Sequence, residues 1–228
     1  MLNLSAGSRG FFVTGSDTGV GKTWISCQLI QQLKRSVPSL KVRKPVESGC
    51  ERQADNQLLP ADGVQLYQAN DSRENLQLIT PYRFEAALSP DLAARREQQT
   101  ISLDQLEQAV NQQIHPADLV LVEGAGGFYS PIAEDGLNAD LARRLKLDVI
   151  IVTEDRLGAI NQSLLTIRAV ESEGLNISML ILNQNKISDS NATGNLAALK
   201  KRSHYPVCCC TYQGRLPELP LRGFDSVG

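Results

Sequence analysis

Six short apolar runs punctuate the chain, each closed by polar or turn-forming residues: "FFVTG" (11–15), "KVRKPV" (41–46), "DLVLVEG" (118–124), "DVIIVTE" (148–154), "SMLILNQ" (178–184) and "PVCCCTYQG" (206–214). Runs of this length, β-branched and without polar alternation, suit strands buried on both faces. Helical periodicity fills the gaps. Residues 23–34 set Ile25, Leu29 and Leu33 on one face; residues 102–114 open with Ser102 and Gln105 in capping-box spacing and carry Leu103, Leu106 and Val110. Residues 159–173 align Leu164, Ile167 and Val170, and Gly174 follows as a helix stop. Strand alternating with helix predicts an α/β fold, a doubly wound, mostly parallel sheet with helices on both faces and ligands at the carboxyl ends of its strands.

Length and composition narrow this without redirecting it. With 228 residues, 42% of them hydrophobic, and no repeat or composition break, the expectation is one domain over residues 1–228. The 23 Lys and Arg nearly balance the 25 Asp and Glu, which disfavours nucleic acid or an anionic membrane as partner. A start of "MLNLSAGSRGFF", without the charged and apolar regions of a secretory signal, reads as a soluble cytoplasmic protein. Five cysteines, three of them consecutive at Cys208, Cys209 and Cys210, lack C-x-x-C spacing and read as small strand residues rather than as a disulfide framework or metal site.

Chemistry concentrates at the predicted strand ends. "VTGSDTGVGKTW" (13–24) places a glycine-rich loop between a strand and a helix, the context of a phosphate loop, although Gly15 stands one residue too far ahead of Gly21. In such a loop backbone amides and the helix start face phosphates, Lys22 neutralises their charge and the Thr23 hydroxyl can ligate Mg2+. That makes the fold P-loop NTPase-like. Glu123, ending an apolar strand, is costly to bury unless it meets a cation or donor, and the turn after it (Gly124, Ala125, Gly126, Gly127) offers amides to an anion. "KPVESG" puts Lys44 and Ser48 at another strand end, a second lysine suited to charge on a transferring phosphoryl group. Asp62 suits either Mg2+, beside Thr23 and Glu123, or a helix start; Asn183 suits either an adenine edge or a turn.

Together these motifs resemble the dethiobiotin synthetase family. "VTGSDTGVGKT" is similar to its T-G-T-D-T-x-V-G-K-T loop, "KPVESG" to K-P-V-x-S-G, "LSPDLAA" to S-P-x-x-A-A, "VEGAGGFYSPI" to V-E-G-A-G-G-aromatic-x-x-P and "LGAIN" to L-G-x-I-N. The resemblance implies a ligase that joins 7,8-diaminononanoate and CO2 with MgATP, through an N-carbamate and a carbamic-phosphoric anhydride, to give dethiobiotin, ADP and phosphate. It also implies a set of roles. Lys22, Lys44 and Thr18 would be catalytic, and Thr18, Lys44, Ser48 and Glu123 would contact the diamine or carbamate. Gly19, Val20, Gly21, Lys22, Thr23 and Trp24 would cradle the phosphates, with Asp62, Glu123, Gly124, Ala125 and Gly126 alongside. Asn183, Gln184 and the Pro217, Glu218, Leu219 loop would hold the adenine, and Thr23, Asp62 and Glu123 would hold Mg2+. A homodimer follows from the family, with Asn161 meeting the substrate carboxylate across the interface.

Two departures stand out. Gly19 replaces a frequent Glu and Phe128 a frequent Trp, so altered nucleotide affinity or selectivity is expected. A partition-type switch ATPase of the same fold is the competing class; it needs a lysine where this chain has Asp17.

Overall fold

The computed structural model describes residues 1–186 and 194–222. Its centre is a six-stranded sheet of β1 (Gly10–Gly15), β2 (Leu40–Arg43), β3 (Leu119–Gly127), β4 (Asp148–Glu154), β5 (Ile177–Asn183) and β6 (Val207–Cys210). The order is β6-β5-β4-β1-β3-β2 and every pairing is parallel. All six predicted strands are present, with two trimmed by their own chemistry. The strand expected over 41–46 stops at Arg43 because Lys44 turns its amide to the Ile79 carbonyl, and Val46–Ser48 pairs instead with Tyr82–Phe84. The strand expected over 206–214 stops at Cys210, where Gly214 closes a turn on Thr211. Cys210 is buried, and Cys208 and Cys209 are half-buried strand residues.

Eight helices cover the sheet among the described residues: α1 (Lys22–Leu33), α2 (Ala61–Ala69), α3 (Leu76–Ile79), α4 (Pro90–Arg96), α5 (Leu103–Asn111), α6 (Asn138–Leu145), α7 (Ala159–Ser172) and α8 (Asn195–Arg202). The period-2 geometry of the strands divides their side chains between two cores. Phe11, Val13, Leu119, Leu121, Ile150 and Val152 meet Ile25, Leu29 and Leu33 of α1 on one face. Phe12, Val120, Val122, Val149 and Ile151 meet α4 to α8 on the other. The Ser102–Gln105 capping box forms, but α5 ends at Asn111 rather than 114. Gly174, at φ 70°, ends α7.

This winding positions the site. The chain leaves β1 by α1 on one face, whereas it leaves β3 and β4 by α6 and α7 on the other. The chain thus leaves the neighbouring carboxyl ends of β1 and β4 for opposite faces, a switch point of the kind at which open α/β sheets bind ligands. No helix among the described residues is long and apolar enough to cross a membrane.

Candidate active site

The phosphate loop spans from the end of β1 to the start of α1. Gly21 precedes Lys22 with φ 87°, and a Cβ there would lie 2.1 Å from Asn183 Nδ2, so glycine is required both by backbone angle and by space. Asn183 explains the crowding. Its amide nitrogen donates to the Val20 carbonyl (3.0 Å) and to Asn185 Oδ1 (2.6 Å), while Asn185 Nδ2 donates to the Gly19 carbonyl (2.9 Å). The end of β5 thus staples the outer side of the loop, and the nitrogen of the Asn183 amide, expected to read a base, is committed to that staple. Around Gly19 there is room for a side chain, but its φ of 75° makes any other residue strained. Lys22 folds back over the loop, its ammonium 3.4 Å from the Asp17 carbonyl. Burial, reinforced by the nearby Lys44 charge and only partly opposed by Glu123, Asp62 and Asp17, lowers its pKa to about 8.

Lys44 is the hub of a buried cluster. Its ammonium contacts Glu123 Oε1 at 2.7 Å and Asp62 Oδ2 at 2.9 Å. Burial works against this charge, yet Glu123, Asp62 and Glu47 outweigh it and hold Lys44 above the ordinary lysine range. Thr23 donates its hydroxyl to the same Glu123 oxygen at 2.8 Å. Asp62 is drawn up by burial but held below the usual carboxylate range by Lys44, Thr23 and Lys22. The helix-start reading of Asp62 holds, since it lies in the first turn of α2, and its carboxylate is turned to Lys44. Glu47 had no role in the sequence reading; its two carboxylate oxygens accept the N–H groups of Asp62 and Gly63, each at 2.9 Å, and so cap α2 from another segment. Burial and the neighbouring Asp62 charge raise its pKa, against Lys44 and the two N–H donors.

Thr18 and Ser48 line a cleft of about 430 Å³ together with Ala87, Leu88, Ser89, Pro90, Ala125, Gly126 and Ser130. Ser48 donates to the Leu88 carbonyl at 2.6 Å. The turn after Glu123 differs from expectation. Two of its amides do not face an anion: Ala125 N–H donates to Asn138 Oδ1 (3.0 Å) and Gly127 N–H to Ser130 Oγ (2.9 Å). Asn138, fully buried, also donates to the carbonyls of Ala125, Gly127 and Ser130 at 2.7, 3.1 and 3.0 Å. Gly124 lets this amide approach, for a Cβ there would stand 2.5 Å from Asn138 Oδ1.

On the far side of the loop, Gln184 donates its side-chain amide to Asp155. Pro217 and Glu218 are exposed and Leu219 is buried beneath them, against α1. Trp24 is half-exposed on α1. Asn161 is separate from the cleft; it is exposed on the first turn of α7, between Leu157, 97% exposed, and Leu165, 62% exposed.

The group fits a hard divalent cation. Thr23, Asp62 and Glu123 supply only oxygen, and Glu123 Oε2 is buried with no hydrogen-bond partner among the described residues, an orphan that a cation would satisfy. Among those residues no three His, Cys, Asp or Glu side chains gather as ligands of a metal ion, so a cation here would rest on two carboxylates and the Thr23 hydroxyl.

The family model described as an AAA domain matches residues 9–221. The chain is 36% identical to the ATP-dependent dethiobiotin synthetase BioD of Rhodopirellula baltica, over 95% of this chain and 88% of that protein. It is 38% identical to the enzyme of the same name from Ruthia magnifica, over 86% and 87%. A ParA family ATPase from Chlorobium tepidum has the same fold, with a TM-score of 0.50 at 12% identity over 89% of this chain and 84% of that one. With relatives this similar along nearly their whole length, the chain belongs to the ATP-dependent dethiobiotin synthetase family.

Proposed function

We propose that this protein is an ATP-dependent cyclo-ligase, one domain over residues 1–228, that makes dethiobiotin from 7,8-diaminononanoate and CO2. The observation that carries the reading is the placement of Lys44. It lies just past the carboxyl end of β2, its ammonium against Glu123 of β3 and Asp62 of α2, with these carboxylates using two of its three donors. A triphosphate alone needs one lysine, and Lys22 supplies it. A second, partly satisfied ammonium suits a reaction in which negative charge moves from the γ-phosphate to an attacking carbamate.

In this reading an amine of the diamine adds to CO2 and loses a proton, giving an N-carbamate. A carbamate oxygen displaces ADP from the γ-phosphorus; the second amine then attacks the carbamoyl carbon, phosphate leaves, and the urea ring closes. The chain's part is positioning and charge neutralisation. Thr18 and Ser48 orient the diamine, Lys22 and Lys44 meet the phosphoryl oxygens, and the Gly19 to Trp24 amides hold the phosphates. Asn183, Gln184 and residues 217–219 flank the base. Thr23, Asp62 and Glu123 would hold Mg2+, which would offset the negative charge of the phosphates. The subunits form a homodimer in which Asn161 of one copy reaches the substrate carboxylate in the other, and the partners are these small molecules rather than nucleic acid or membrane.

The test is mass spectrometry of the protein incubated with 7,8-diaminononanoate, bicarbonate and MgATP, with phosphate release followed with and without the diamine. Diamine-dependent phosphate release and a product of dethiobiotin mass are expected. ATP hydrolysis indifferent to the diamine would favour a switch ATPase, a class already disfavoured by Asp17 at the position of its lysine. Lys44→Ala should lose turnover far more than ATP affinity, whereas Asn161→Ala should raise the diamine KM and leave ATP alone.

A further inference from the structure

After β6 the chain turns at residues 211–214 and runs back along α1 as an irregular strap over residues 214–219. No ladder holds this strap. Two glutamines of α1, one turn apart on the same face, take the place of a strand edge. Gln28 accepts the Leu216 N–H at 2.5 Å and donates to the Gly214 carbonyl at 3.3 Å and to Cys210 Sγ at 3.4 Å. Gln32 accepts the Leu219 N–H at 2.9 Å and donates to the carbonyls of Leu216 and Pro217 at 3.2 and 3.1 Å. Each primary amide is used at both its ends, as a peptide group would be in a sheet. Leu216 and Leu219 are pinned into the core between these bonds, which leaves Pro217 and Glu218 facing outward.

The same helix carries the phosphate-binding residues at its other end. With a rise of about 1.5 Å per residue, Gln28 and Gln32 stand about 9 and 15 Å along the axis from Lys22. We infer that Gln28 and Gln32 are positioning residues that fix the strap at a set distance from the phosphate loop and so govern how tightly, and how selectively, the adenine is held. The inference rests on the reading that residues 217–219 flank the base. Neither glutamine touches phosphate. Loosening the strap should therefore cost what the base contributes and spare what the phosphates contribute.

Inorganic tripolyphosphate, which has the phosphates and no base, separates the two. Binding of ATP, CTP and tripolyphosphate would be measured by calorimetry for the wild type, for Gln32→Asn, which shortens the reach, and for the Gln28→Leu/Gln32→Leu pair. The pair should weaken ATP by about tenfold, the loss of a net hydrogen bond or two, and shrink the preference for ATP over CTP. Tripolyphosphate affinity should stay within about twofold, which also reports that α1 and the loop remain folded; Gln32→Asn should show the same split to a smaller degree. Equal weakening of ATP and tripolyphosphate, no weakening of either, or a wild type that binds both alike would overturn the inference. A wild type that makes no dethiobiotin but shows the split would defeat the ligase reading and leave the clamp standing.

Discussion

A lysine ammonium can be buried only where carboxylates repay its lost hydration, and the Lys44 cluster reaches that condition through several chain segments. Glu123 gives one oxygen to both Lys44 and Thr23, so removing the ammonium strands a fully buried carboxylate. Lys44→Met should therefore destabilise the protein by about 3–5 kcal/mol. Adding Glu123→Gln should recover more than half of that in urea unfolding, with activity still absent; a double variant no more stable than the single one would remove the pair from the account. The cysteines give a pH prediction. Burial pushes the Cys27, Cys50 and Cys208 thiols up to about 12 and Cys209 to about 11, from an ordinary 9.0. Above pH 9 the unfolded chain thus releases thiol protons before the folded one does, and stability contributed by these groups falls as pH rises toward 12. At pH 8 these four thiols should alkylate slowly in the folded protein and rapidly in denaturant; fast labelling of the native protein would contradict their burial. Lys44 was legible in "KPVESG" because the motif sets a second lysine at a strand end, beside a phosphate loop that already has one. Glu47, in the same motif, was not, since its partners are backbone amides fifteen and sixteen residues on, and nothing in a local pattern encodes that meeting.

At the scale of elements, apolar runs and helices with a local cap or periodic face could be read, and helices without such a signal could not. The six strands and α1, α5 and α7 carry enough apolar periodicity to declare themselves. By contrast α2, α4 and α6, no longer than α5 at seven to nine residues, lack its Ser–Gln capping box, need tertiary support to persist, and have ends that depend on distant groups. Asn138 is the clearest case. It starts α6 and simultaneously holds four backbone groups of the turn after Glu123, linking a helix start to the wall of the cleft. Asn138→Ala should cost about 3 kcal/mol, because at least two buried polar groups lose their partner at about 1–3 kcal/mol each. Asn138→Asp should be worse, since it sets an acceptor against three carbonyls. Chemical denaturation checks both, and a cost under about 0.5 kcal/mol for either, the level of an ordinary surface change, would mean that the turn holds its shape unaided.

For the whole molecule, the decisive feature is an exposed strip on α7. Leu165 lies one turn beyond Asn161 on the same face, and Leu157 stands fully outward before the helix. Beside them a groove of about 550 Å³, lined partly by Phe128, Tyr129, Pro131 and Leu165, runs to Ser16 and Asp17 at the root of the phosphate loop. Apolar side chains this exposed around a polar one suit a subunit contact better than open solvent. The apolar period of α7 predicted the helix; its outward leucines carried no signal of a partner, because one sequence cannot distinguish a leucine facing water from one facing a second copy. If the proposed homodimer uses this strip, Leu165→Glu places a charge in it and should shift the protein to a monomer in sedimentation equilibrium at micromolar concentration. The diamine KM should rise together with dissociation, as in Asn161→Ala, while ATP affinity holds, because the phosphate loop and strap belong to one chain. A dimer that survives Leu165→Glu with an unchanged diamine KM would move the interface elsewhere and leave Asn161 without its role; a monomer that retains the wild-type KM would separate assembly from substrate binding and place the carboxylate contact within a single subunit.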